Sequence, residues 1–141
     1  MRAPGEKISY RESRSKYRAV RTEYNGEKYD SKFEAGQAAL LDIRLRAGEI
    51  KGWERQFKVE CVPFTSDGQP VKALTVRHRV DFRIHNHDGT FVLLEAKGLE
   101  LPDWKRRRDW FLHFWLPLNP LYSYQVVRDT GKGRGLRWSS K

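Results

Sequence analysis

Two carboxylates and one ammonium stand out in the stretch "VDFRIHNHDGTFVLLEAKG", residues 80–98, at Asp81, Glu95 and Lys97. The residues around them are those of core strands, where unpaired charge is costly. Side chains alternate faces along a strand, so Glu95 and Lys97 share one face, and Leu94 and Ala96 take the other. If the turn pairs Phe82 with Leu94 or Val92, Asp81 and Glu95 fall on the same face. The Phe82–Leu94 register sets them directly opposite, with Cβ atoms about 4.5–5.5 Å apart. Pairing Phe82 with Leu93 would separate them. Like charges so placed repel unless a cation lies between them, and two carboxylates form a half-shell for Mg²⁺, to which the Ala96 carbonyl could add an oxygen. Lys97 would then reach a phosphate oxygen or the attacking water. That is the chemistry of metal-assisted phosphodiester hydrolysis. The competing reading is a solvated polar face, with Arg77, Arg79 and Arg83 pairing the acids.

A third acid, Glu34, precedes these. The segment "SKFEAGQAALLDIRLRAG" predicts a helix with Ser31 as N-cap and Gly48 just past its end. At about 100° per residue, Glu34, Ala38 and Leu45 lie within about 60° of Leu41. Glu34 therefore tops the apolar stripe that faces the sheet. It also fits a capping box with Ser31, reaching back to that residue's amide. The two roles compete for one side chain.

The elements that must position these residues follow in order. "RTEYNGEKYD" predicts a tight hairpin about Asn25-Gly26. After the helix, "WERQFKVECVPF" reads as a strand. In "VKALTVRHRVDFRI" the alternation places Leu74, Val76, His78, Val80, Phe82 and Ile84 on one face. "FVLLEAK" is the next strand. Pro102 opens a helix through "DWKRRRDWFLHFWL", which Pro117 stops. "LYSYQVVR" is a last strand. Hairpin, helix, three strands, helix and strand make an α/β or α+β fold, a sheet with helices packed on it, in one domain over residues 21–128. Residues 1–20 read as a flexible basic arm and 129–141 as a flexible basic tail.

The chain of 141 residues has 28 lysines and arginines against 18 acids, a net charge of +10. Residues 1–20 and 128–141 each carry +4, leaving only +2 for 21–127. Basic ends on a near-neutral body suit a polyanion partner. Arg14, Lys16 and Arg18 in the arm, and Lys105, Arg106, Arg107 and Arg108 at the start of the second helix, are the candidate DNA contacts. The helical cluster opposes the macrodipole there, which an anionic partner would relieve. One cysteine, Cys61, excludes an internal disulfide. No apolar run approaches the roughly 20 residues of a membrane span, and a cytoplasmic protein without a small-molecule substrate is expected. "HNH" at His85–His87 reads as a polar turn, and His78 as a hydrogen-bonded core histidine. Trp104, Trp110, Phe111, Phe114 and Trp115 exceed what one face of a monomer would bury, which points to a homodimer.

An acid on an early helix, then an aspartate, then Glu-x-Lys on a hairpin, resembles the PD-(D/E)xK nuclease superfamily. Glu34, Asp81, Glu95 and Lys97 match its motif positions in order, although Val80 stands where the proline would be. "YNGEKYDSKFEA" through "GEI" is also similar to a family of small phage-encoded proteins assigned to that fold. The resemblance covers residues 20–128. It implies a restriction-endonuclease-like mixed central sheet flanked by helices. It further implies Mg²⁺, with Mn²⁺ as substitute, held by Asp81, Glu95, Ala96 and Glu34, with Lys97 catalytic. Its short, basic members, the archaeal-type and phage-encoded Holliday-junction resolvases, imply a four-way DNA junction as substrate. A restriction- or repair-type endonuclease and a non-catalytic DNA-binding protein are the alternatives.

Overall fold

The computed structural model describes residues 21–129 and the backbone of a strand at 137–140. The candidate DNA contacts Arg14, Lys16 and Arg18 lie outside the described residues. The first described elements form a hairpin, β1 (Thr22–Tyr24) and β2 (Glu27–Tyr29), turning at Asn25 with φ 54° and Gly26 with φ 83°. Both left-handed residues are what a two-residue type I′ turn requires. Helix α1 (Lys32–Arg46) follows, with Ser31 Oγ accepting the Glu34 amide at 3.1 Å. It ends where Gly48, at φ 79°, donates to the Leu45 carbonyl.

The main sheet contains β3 (Gly52–Cys61), β4 (Val76–His85), β5 (Phe91–Lys97), β6 (Tyr122–Arg128) and β7 (Arg137–Ser140), in that spatial order. Only β5 and β6 run parallel; the other neighbours are antiparallel. The β5–β6 crossover contains helix α2 (Pro102–Trp110), a π-helical turn (Phe111–Trp115) and a 3₁₀ turn (Leu116–Leu118). The result is an α/β fold, a mixed sheet flanked by helices. β7 falls within the segment expected to be a free tail, so part of that segment is sheet.

Each sheet face carries its own core. On one, α1 and the first hairpin bury Tyr29, Ala35, Ala38 and Leu41 against Phe82, Ile84, Leu94 and Val127. On the other, Phe111 packs with Val59, Val80, Leu93, Tyr124 and Val126. Val80 and Phe82 are two residues apart yet belong to opposite faces, so the uniform face expected from Leu74 to Ile84 does not exist. β4 changes face at Asp81, and β3 does so opposite, between Arg55 and Phe57, where Gln56 has φ 60°. A left-handed residue within a strand rotates the side-chain directions that follow it. Leu74 lies before the strand, exposed in a 3₁₀ turn.

Two further expectations change. Leu45, on the expected apolar stripe, is exposed. The second helix does not stay α-helical to Pro117: a wider π turn brings Phe111 and Trp115 together, stacked at 5.6 Å, against the sheet. Trp104 and Phe111 are buried, and Trp115 packs edge-on against Phe57 and Tyr122. The monomer thus absorbs most of the aromatic cluster, leaving Phe114 exposed beside Trp110.

Candidate active site where β4 and β5 part

Phe82 pairs with Leu94, so the register is the one that sets Asp81 opposite Glu95, one step past the last paired residues. The strands part there. Asp81 Oδ2 accepts the Ala96 amide hydrogen at 2.8 Å, a side-chain bond in place of the missing ladder bond. Ala96, expected to offer its carbonyl, engages Asp81 through its N–H.

The charges around Asp81 are unbalanced. Burial, then Glu34, then Glu95 push its carboxyl well above the usual range, and the Ala96 N–H and Lys97 only partly oppose this. Glu34 is buried beneath the first turn of α1. Burial and then Asp30 raise its carboxyl, while Arg55, 3.8 Å away, and Arg79 favour the charged form. The Asp30 backbone amide favours it too. Glu34 therefore bonds toward the backbone near the N-cap and also adds negative charge beside Asp81.

Glu95 lies on the α2 side and is fully partnered. Its Oε1 bonds His78 Nε2 at 2.7 Å and the Tyr124 hydroxyl, and Oε2 accepts Trp104 Nε1 at 2.9 Å. Burial opposes ionisation, but these three partners outweigh it, and the Glu95 carboxyl falls below its usual range. Burial and the adjacent Glu95 hold the Tyr124 phenol far above its ordinary value, so it donates and does not titrate. Lys97 Nζ sits over the Trp104 ring, 4.9 Å from its centroid. One indole thus touches both the glutamate and the lysine of the Glu-x-Lys pair.

The structure brings Glu34, Asp81, Glu95 and Lys97 to the place where β4 and β5 part and divides them. Glu34 approaches from the α1 side, Glu95 and Lys97 from the α2 side, and Asp81 stands between. Among the described residues no three of His, Cys, Asp and Glu form a ready ligand group. Mg²⁺ keeps several waters and is held by one or two carboxylates, so Asp81 with Glu34 or Glu95 fits its donor needs without a full cage.

The basic residues of α2 separate as well. Lys105, Arg106 and Arg107 are exposed, with Arg106 3.6 Å from Asp103. Arg108, one turn after Trp104, turns inward, its guanidinium 4.9 Å from the Trp104 ring centroid. Its side chain is largely buried there, unlike those of the three basic residues before it.

Sequence reasoning missed four residues here. His78 is the hydrogen-bonded core histidine the sequence predicts, and what the sequence does not show is that its partner is Glu95. Tyr124 and Trp104 gave no polar signal because their rings read as core. Gln56 gave none at all, since glutamine has no left-handed preference.

Residues 14–132 match the family described as "Protein of unknown function (DUF1064)". The chain belongs to the DUF1064 family. No curated protein matches it. The family match spans all four candidate catalytic residues of this DUF1064 chain, and its description assigns them no role.

Proposed function

We propose that this protein is a metal-dependent DNA endonuclease that hydrolyses phosphodiester bonds, acting as a homodimer on four-way junctions. The observation that carries the reading is Asp81, where β4 and β5 part: burial, and then the nearby Glu34 and Glu95, hold its carboxyl well above the usual range, with Lys97 at Glu-x-Lys spacing. A divalent cation would relieve that repulsion. Asp81 would hold it with Glu34 or Glu95, and when bound it would lower the pKa of a coordinated water and offset charge on the phosphate. The protein's own part is positional. The Ala96 amide fixes the Asp81 carboxylate. His78, Tyr124 and Trp104 keep Glu95 charged and immobile, and Lys97 supplies a cation to the phosphate.

The junction preference and the dimer rest on the resemblance to resolvases and on symmetry, since a two-fold dimer presents two sites to opposed strands. Exposed Phe114, Leu118 and Leu121 beyond α2 offer apolar surface for the second copy. A second reading, a DNA-binding protein without activity, is favoured by the three donors that already engage Glu95.

One experiment separates them: end-labelled junction and linear duplex incubated with the protein in Mg²⁺, Mn²⁺ or EDTA. The nuclease reading expects metal-dependent nicks, faster on the junction. Equal cutting of both substrates would move the assignment to a general endonuclease. Binding without cutting in either metal would favour the second reading.

A further inference from the structure

Beyond Asp81, β3 and β4 continue, and no other described element covers their α1-side face, whose side chains are exposed. Four side chains occupy it as two cross-strand pairs: Glu60 with Arg77, and Lys58 with Arg79. The first is complementary, with Arg77 Nε 2.9 Å from Glu60. The second sets two cations directly opposite on an exposed ladder, an arrangement that destabilises a sheet. Neither Lys58 nor Arg79 has a carboxylate within ion-pair distance among the described residues, unlike Arg44, Arg55, Arg77, Arg83 and Arg128. Arg79 is also near enough to Glu34 to favour its charged form, which ties the pair to the carboxylate cluster. The face change at Gln56 and Asp81 creates this surface. Had β3 and β4 kept their alternation, Phe57 and Val80 would point this way instead of into the second core.

We infer that Lys58 and Arg79 form a phosphate-binding track that carries a nucleic-acid backbone along β3–β4 toward Asp81. The inference rests on the nuclease reading for its direction, and on the like-charge pair for its existence. An anionic backbone turns the repulsion of the pair into attraction for successive phosphates, one to each cation. The track lies on the α1 side of the sheet, away from Lys105, Arg106 and Arg107, so two basic surfaces compete for the role.

The test is the dissociation constant of labelled duplex and junction against salt, in Ca²⁺. Wild type, Lys58→Ala/Arg79→Ala and Lys105→Ala/Arg106→Ala/Arg107→Ala are compared. Each lost phosphate contact lowers the slope of log affinity against log salt by about 0.9, so the β3–β4 double variant should lose about 1.8. Its melting temperature should hold or rise, because the substitution removes a repulsion. Lys58→Glu should melt higher, by pairing with Arg79, and bind more weakly. An unchanged slope in the double variant overturns the track, whatever the α2 variant does. If wild type binds and never cuts in Mg²⁺, the nuclease reading falls, and a reduced slope still supports the track. If wild type binds neither DNA, both are overturned.

Discussion

Asp81 accepts the amide hydrogen of Ala96 at 2.8 Å, directly where the β4–β5 ladder ends. A backbone N–H released by the parting strands is thereby satisfied, and a carboxylate is pinned beside Glu34 and Glu95. The same contact serves sheet and site. Substitutions at Asp81 can therefore be chosen to keep one and lose the other.

Asp81→Asn keeps an oxygen for the Ala96 amide and removes the charge. The Asp81 carboxyl is raised in the folded state by burial, Glu34 and Glu95. Its contribution to stability is therefore full below the unfolded value of about 3.9 and is lost as pH rises through the folded value. Above that point the wild type is burdened and the asparagine variant is not. Thermal melts without metal should show the variant higher at neutral pH, with the gap closing on acidification. Cleavage should fall at least about 100-fold, beyond the roughly 10–100-fold typical of residues that only support a ligand.

Glu95→Gln should behave oppositely. A carboxylate accepting from His78, Tyr124 and Trp104 becomes an amide with one donor group facing donors. Breaking a buried charge-assisted network from one side costs about 3–5 kcal/mol. The Glu95 carboxyl is lowered on folding, so its stabilisation is present above the unfolded value of about 4.3 and lost as pH falls through the folded value. Urea unfolding at several pH values should show the wild type losing its advantage over the variant in acid. Equal midpoints at neutral pH would refute the network's role.

Glu34→Gln separates capping from catalysis. An amide oxygen can still accept from the backbone near Ser31, so the melting temperature should change little, while the carboxylate beside Asp81 disappears. Activity per folded molecule should drop sharply if Glu34 assists the metal. Loss of stability with activity retained would assign Glu34 to the cap.

How much of this could be read in advance differs by element. Asn25-Gly26, Ser31, Gly48 and Pro102 are local signals whose physics is complete within a few residues, and each sits where expected. The Asp81–Glu95 register was open among three alternatives, because strand pairing is decided by the whole sheet. The face change at Asp81 was illegible: "VRHRVDF" alternates without a break, and only Gln56 across the ladder reveals the rotation. The partners of Glu95 come from β4, β6 and α2, which no spacing along the chain brings together.

Arg108 offers a test of the division within α2. Its guanidinium rests near Trp104, the ring that also holds Glu95 and Lys97. Arg108→Ala should cost about 0.5–2 kcal/mol through the lost cation–π contact. Alanine at Lys105, Arg106 or Arg107 should stay within about 0.5 kcal/mol, as is usual for exposed positions. Chemical denaturation of the four single variants measures both.

Among the described residues β3 is an outer strand of the sheet, ten residues long, paired only with β4. A straight edge of that length invites another chain to add itself as a further strand, the usual beginning of aggregation. Gln56 interrupts it. With its backbone turned left-handed, the edge is cut into two short runs, 52–55 and 57–61, and charged Arg55 and Lys58 stand on either side of the break. A strand laid along β3 would lose its register at the middle and meet cations there. The twist that re-aims the site also keeps this edge from templating its own copies.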